Sequence, residues 1–191
     1  NQALTVDHIS HGRLELGLGI GVKGLDPSYE MMGIPDWSNA ERVERLGEYL
    51  TIVDRLLTQD NTTYVGRYYQ VRNAVMSPRP IQSPRPPIMV AAMGPKMLRQ
   101  AVRHADIWNS MSFADDFETQ LEETRQRSAR IDQLCAELGR DPQSLGRSYH
   151  MFDPTSRASG GNIAYYASED AFEDMVEQVV ATGMNDIGLY Y

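Results

Sequence analysis

The segment Ile88 to Met111, IMVAAMGPKMLRQAVRHADIWNSM, carries the fold in miniature. Ile88 to Ala92 is an apolar run of strand length. Gly94 and Pro95 follow as a helix cap and a first-turn residue whose missing N–H costs nothing at that position. Met97, Leu98, Ala101, Val102 and Ala105 then recur at helical spacing, and Asp106 to Met111 reads as the next strand. Strand, tight turn, helix, strand is one βα repeat, the crossover that parallel strands require.

The same alternation extends in both directions. Leu14 to Ile20 reads as a buried strand running into Gly17, Gly19 and Gly21, and Val43, Leu46, Leu50, Val53 and Leu57 mark a helix announced by a Ser38/Glu41 capping box. Thr62 to Met76, rich in Tyr and Val, predicts irregular β structure or a hairpin outside the main repeat. The prolines from Pro78 to Pro87 return the chain in extended form. Beyond Met111 come a long helix with Phe117, Leu121, Thr124, Ile131, Cys135 and Leu138 on one face and Gly139 as its stop, a strand at Arg147 to Phe152, and a loop through Gly160 and Gly161. A helix from Ser168 to Ala181 ends at Gly183, and the last strand is Asp186 to Tyr191. The expectation is one α/β domain over 1–191, of the (β/α)8 TIM-barrel type but incomplete, with about five C-terminal βα units.

Composition narrows the function. Across 191 residues, 18 Lys and Arg face 26 Asp and Glu, a net charge of -8 that disfavours nucleic acid and anionic membranes. No apolar stretch approaches the roughly 20 residues of a membrane-spanning helix. The lone Cys135 cannot form an intrachain disulfide, which fits a reducing, cytoplasmic compartment, and the chain opens at Asn1 without a basic-then-apolar leader.

In parallel α/β folds, ligands gather where strands end and helices begin. The GLGIG run, Gly17 to Gly21, leaves a strand there; its glycines serve either a sharp turn or the close approach of a ring or phosphate. At Ala91 to Met97 the α-helical N-terminus with Lys96 in its first turn suits a mononucleotide phosphate, the alternative being a solvated lysine on an ordinary turn. Trp108, Asn109, Met111 and His150 end the next two strands and are expected to line one substrate cavity. Asp7, Ser10, Gly12 and Arg13 precede a strand and read as a structural turn held by charge pairing. His8, His11 and His104 lack ligand spacing, so no metal is assigned.

The motifs DHISHGRLELGLGIG, MMGIP, the helix containing Arg42, YVGRYYQV, PRPPIMVAAMGPKMLRQAVRHADIWNS and LGRDPQSLGRS occur in one order. Together they resemble the luciferase-like monooxygenase family of flavin- or deazaflavin-dependent oxidoreductases. The resemblance implies that Gly19, Ile20, Gly21 and Val22 approach the ring and phosphate region. It also implies that Ala92, Met93, Gly94, Pro95, Lys96 and Met97 hold the ribityl phosphate, and that Arg42 reaches that phosphate or serves a structural or surface role. In the family the DHISHGR segment opens the fourth strand, so three βα units and a final helix would complete the barrel. The implied activity uses reduced FMN and oxygen on a small organic substrate, with a flavin reductase and a second copy of the chain as partners. The alternatives are a deazaflavin-dependent hydride-transfer reductase and a flavin-binding incomplete barrel without turnover.

Overall fold

The computed structural model describes residues 1–21, 24, 28–156 and 163–189. They fall into two compact units, Asn1–Met89 and Val90–Tyr191.

The first unit begins with a helix, α1 (Gln2–Ile9), that the sequence reading did not anticipate. Its Asp7 is fully buried and accepts N–H bonds from Ile81 (2.8 Å) and from the Gln82 side chain (2.9 Å). The DHISHGR turn is therefore fastened by neutral amide donors, which corrects the expectation of charge pairing. Strand β1 (Leu16–Leu18) is shorter than expected and lies alongside the approach to β4 (Ile88–Ala91), with Leu16 N–H donating to Pro87 C=O at 2.8 Å. A four-residue helix, α2 (Ser28–Met31), precedes α3 (Asn39–Thr58). Helix α3 starts where Ser38 Oγ accepts the Glu41 N–H, as the capping box predicts. Its buried stripe includes Val43, Leu46, Leu50 and Leu57, while the Arg79 guanidinium closes its C-terminal end on the Leu56, Leu57 and Gln59 carbonyls.

Strands β2 (Thr62–Val65) and β3 (Gln70–Ala74) form a separate antiparallel hairpin, as expected. Two α3 carboxylates tie it to the helix: Glu44 pairs with Arg67 at 2.9 Å and accepts from Tyr68 Oη, and Glu48 holds the backbone of the turn. The Glu48 carboxylate accepts the backbone N–H groups of Arg67 (2.7 Å), Tyr68 (3.0 Å) and Tyr69 (3.1 Å). Gly66 is required beside it, because a Cβ there would lie 2.6 Å from both Glu48 Cδ and Tyr64 Cε1.

The second unit is the βα repeat itself. From β4 the chain continues through α4 (Pro95–His104), β5 (Ile107–Ser110), α5 (Phe117–Leu138), β6 (Gly146–Met151), α6 (Glu169–Val180) and β7 (Asp186–Leu189). The sheet order β4-β5-β6-β7 follows chain order. Strands β5, β6 and β7 pair in parallel, with Asn109 opposite Ser148 and His150 opposite Gly188. Asp116 caps α5 and Gly139 ends it in the left-handed conformation, φ 67°. The buried stripe of α5 runs through Leu121, Thr124, Ile131, Leu134 and Cys135, whereas Leu138 is exposed. Among the described residues, no helix is long and apolar enough to cross a membrane.

Candidate functional site

Each unit contributes its own cluster of strand-exit residues. In the first, Gly19 and Ile20 leave β1 and Gly21 takes a positive φ of 65°. Arg42 reaches them from the first turn of α3. Its guanidinium is 3% exposed and committed on every side: Nε donates to Trp37 C=O (3.0 Å), and Nη1 to Ile20 C=O (2.7 Å) and Tyr29 Oη (2.9 Å). Nη2 pairs with Asp36. Burial alone would lower the pKa of Arg42, but Asp36 and Tyr29 outweigh it and raise it, so the clasp stays cationic. Of the two roles open to Arg42 from sequence, the geometry matches the structural one: it gathers the chain following β1. A Cβ on Gly21 would come within 3.3 Å of Arg42 Nη1 and Tyr29 Oη, so this glycine admits the clasp. Val22 lies outside the described residues.

Beside this clasp, the Arg45 guanidinium sits over the rings of Trp37 (4.0 Å) and Tyr68 (4.4 Å) and pairs with Glu41. Trp37 and Arg45, with Gly19, Ile20, Arg42, Tyr49 and Tyr69, line an open cleft of about 230 Å³. Neither the stacked arginine nor its aromatic partners carried a sequence signal of their own, because Trp37, Arg45 and Tyr68 are brought together only by the hairpin folding back on α3.

In the second unit, β4 runs out at Ala91 and α4 starts at Pro95. Gly94 is the N-cap in extended conformation, φ -83° and ψ 156°, and no side chain caps the helix. Ala92 and Met97 are buried and anchor the turn, while Met93, Gly94, Pro95 and Lys96 are exposed, and the space a Gly94 side chain would fill is open. The turn therefore presents helix-terminal amides and one lysine to the outside, a geometry that accepts an anionic oxygen.

The strands place the other four expected residues on two faces. Side chains alternate along a strand, and residues directly paired in register share a face. Asn109 is opposite Ser148, and its Nδ2 donates to Ser148 Oγ at 3.1 Å. His150 stands two residues beyond Ser148 on that same face, opposite Gly188. Trp108 points the other way. It is fully buried, and its indole N–H donates to Ala92 C=O at 2.8 Å. Tyr149 and Arg147 share its face, which α5 covers: Tyr149 Oη bonds Gln120 (3.3 Å), and Arg147 bonds Ser128 and pairs with Asp132. One cavity shared by Trp108, Asn109 and His150 is thus corrected by the pleat, with Trp108 belonging to the helix-facing core. Met111 follows β5 half-buried, and its carbonyl accepts from Arg127 at 2.7 Å.

The face turned away from α5 therefore carries Asn109 and His150, both half-buried, and Ser148, which is buried, beside the small residue Gly188. A Cβ on Gly188 would lie 3.1 Å from His150 Nδ1, so the glycine makes room for the imidazole. Burial alone holds the His150 pKa below 6.5, leaving the ring neutral at pH 7. Ser148 and Gly188 were missed from sequence; stepping two residues back from His150 along its strand would have found Ser148.

A βα repeat with its polar groups collected at strand exits defines a barrel-type α/β protein. The chain belongs to the luciferase-like monooxygenase family, whose model matches residues 1–186. Among curated relatives it is similar to the F420-dependent glucose-6-phosphate dehydrogenase of Intrasporangium calvum, 30% identical over 165 residues, covering 80% of this chain and 49% of that protein. It is likewise 30% identical to the phthiodiolone/phenolphthiodiolone dimycocerosates ketoreductase of Mycobacterium bovis over 190 residues, covering 95% of this chain and 44% of that enzyme. The chain thus spans about half the length of these relatives or less. Among solved structures, an F420-dependent secondary alcohol dehydrogenase in complex with an F420-acetone adduct aligns with a TM-score of 0.72 at 15% identity, over 98% of this chain and 66% of the other. The long-chain alkane monooxygenase LadA aligns with a TM-score of 0.73 at 14% identity, over 98% and 60%. These likenesses establish the α/β fold of TIM-barrel type, for which the incomplete strand set expected from sequence is a fit, and the relatives are oxidoreductases and monooxygenases.

Proposed function

We propose that the chain is the cofactor- and substrate-binding part of an oxidoreductase that uses a deazaflavin of the F420 type. The observation that carries the reading is the β4–α4 turn, whose uncapped helix start and exposed Lys96 fit a phosphate-bearing cofactor. The choice of deazaflavin is supported by two curated relatives, 30% and 36% identical, that are named as F420-dependent. Ala92 to Met97 would hold the phosphate, and Gly19 to Gly21 would lie against the ring. When bound, a deazaflavin supplies hydride transfer. The chain's own residues bind and orient: the α4 amides receive the anion, the Arg42 clasp fixes the turn after Ile20, and the open face with Asn109 and His150 meets a small organic substrate. A second reading, FMN with oxygen, draws on the same turn and on the fold likeness to an alkane monooxygenase; a flavin reductase would then be a partner. Self-association of the chain belongs to either reading.

Absorbance and fluorescence titration of the purified protein with F420 and with FMN separates the two, because their visible bands differ. Tighter binding of F420 is expected, and tighter binding of FMN overturns the choice. Lys96→Glu should weaken binding of the cofactor by about 1–3 kcal/mol. Its folding should be unimpaired, since an acidic residue in the first turn of a helix is favourable. Unchanged affinity in that variant removes the phosphate from the α4 turn.

A further inference from the structure

We propose that the second unit carries a site for a small organic ammonium ion, in a cavity of about 130 Å³ bounded by the segments that leave β5 and β6 and by α5 and α6. The inference goes beyond the oxidoreductase reading and uses none of the residues named for it.

The lining combines two kinds of group that each attract an organic cation. Phe117, Phe152 and Tyr165 supply three aromatic rings, and Met151 and Met175 add polarizable thioethers. The electron-rich face of a ring draws a cation, and rings gathered around one small space suit the methyl or methylene shell of an ammonium ion. Asp115 and Asp153 bring two carboxylates to the same cavity, and among the described residues that line it none is Lys, Arg or His. Asp115 is exposed. Asp153 is fixed in place: Oδ1 accepts from the Thr155 N–H (2.9 Å) and Oγ1 (2.7 Å), and Oδ2 from the Ala164 N–H (3.0 Å). Burial alone would raise the Asp153 pKa, but these bonds outweigh it and lower it, so the carboxylate is charged at neutral pH.

Hydrogen bonds hold the lining in shape. Tyr165 is buried, and its Oη donates to Met151 C=O at 3.1 Å. Gln120, also buried, donates from Nε2 to Ala114 C=O at 2.8 Å and accepts at Oε1 from Tyr149 Oη at 3.3 Å. Groups held in this way lose little freedom when a ligand arrives. An anion is the wrong guest, because it would meet two like charges. The start of α5 would favour negative charge, but Asp116 already meets it, accepting the Thr119 N–H at 2.8 Å. A neutral apolar molecule matches the size, since an apolar cavity of about 150 Å³ takes up a benzene-sized guest. It would leave both carboxylates unused, so charge is what distinguishes the fitting ligand from others of the same shape.

The test is an NMR titration of the purified protein, isotope-labelled in its methionine methyl groups, with the Met151 and Met175 signals assigned by their loss in Met151→Leu and Met175→Leu. Tetramethylammonium, neopentyl alcohol and pivalate share a compact methylated centre and differ in charge, so they serve as cationic, neutral and anionic probes at constant ionic strength. Saturable shifts of the Met175 signal with tetramethylammonium are expected, at an affinity at least about fivefold above that of the alcohol, and none with pivalate. Asp115→Asn and Phe117→Leu, which remove a charge and a ring without emptying the cavity, should each weaken tetramethylammonium binding about twofold to fivefold and leave the alcohol unchanged. The wild-type titration stands without either variant. The proposal is overturned if pivalate or the alcohol binds as tightly as the cation, if tetramethylammonium leaves Met175 unmoved, or if sodium chloride produces the same shifts. A preference for the cation that survives intact in both variants overturns it as well.

Discussion

Two glycines show how differently one missing Cβ can matter. At Gly66 an added methyl meets the Glu48 carboxyl and the Tyr64 ring, and the backbone N–H groups that hold Glu48 prevent it from moving aside. At Gly94 the same methyl enters open space, and the backbone is already in a region open to any residue. Gly66→Ala should therefore destabilise the protein by about 1–3 kcal/mol, the usual range for overpacking. Gly94→Ala should stay within about 0.5 kcal/mol. Urea unfolding monitored by circular dichroism checks both, and a Gly66→Ala midpoint equal to wild type would refute the account. Sequence marked both glycines as breaks, but it could not rank them, because the difference comes from Glu48, an unrelated side chain on α3. Arg42 teaches the same lesson. Its position in the helix was legible, but its commitment to Ile20, Tyr29 and Trp37 depends on a loop closing around it.

Among the elements, α3, α4 and α5 were legible because each joins an apolar stripe to a recognisable start or stop: Ser38 for α3, Gly94 with Pro95 for α4, and Gly139 for α5. Helix α1 was not, since Leu4, Val6 and Ile9 do not make a clean helical stripe, Asn1 offers no side-chain cap, and Val6 and Ile9 remain exposed. The strands were placed within a few residues, but their faces were not, and that is why Trp108 was grouped with Asn109. The turn of the β2–β3 hairpin is held to α3 by carboxylates, Glu48 on its backbone N–H groups and Glu44 on the Arg67 and Tyr68 side chains, so it should respond to acid. Burial raises the Glu48 pKa, but the N–H bonds from Tyr68, Arg67 and Tyr69 outweigh it and bring the carboxyl below 4.5. A depressed carboxyl stabilises the fold fully above its unfolded value, and that contribution is lost as pH falls through the folded value. Hydrogen exchange at the amides of residues 67–69 should thus stay slow near neutrality and accelerate below about pH 4.5 beyond the intrinsic pH trend, while Glu48→Gln exchanges fast throughout. Protection that persists in Glu48→Gln would show that the carboxylate is not the anchor.

For the whole chain, the βα order and family were readable from linked motifs, whereas the uncovered surfaces emerge only in three dimensions. Within the first unit, Leu4, Leu14, Leu16, Leu18, Val53 and Leu56 help line an apolar groove of about 510 Å³. Ile9, Val65 and Val75 add exposed apolar area elsewhere on that unit. Surfaces of this kind are rarely left bare in water. The purified 191-residue chain should bind an apolar fluorescent dye at neutral pH and scatter light as a species larger than a monomer. A monodisperse monomer that excludes the dye and melts in one sharp transition would show that the groove is closed in solution.

The lone lysine at the α4 turn gives the molecule a built-in chemical handle. Arginine supplies nearly all the positive charge of this chain, and Lys23 and Lys96 are its lysines. Lys96 is exposed. Mild acylation of amines, followed by peptide mass spectrometry, therefore interrogates this turn with few competing signals. An anion seated against the turn would shield the amine and slow its modification, so the rate of acyl transfer becomes a footprint of occupancy that works even for ligands with no colour of their own.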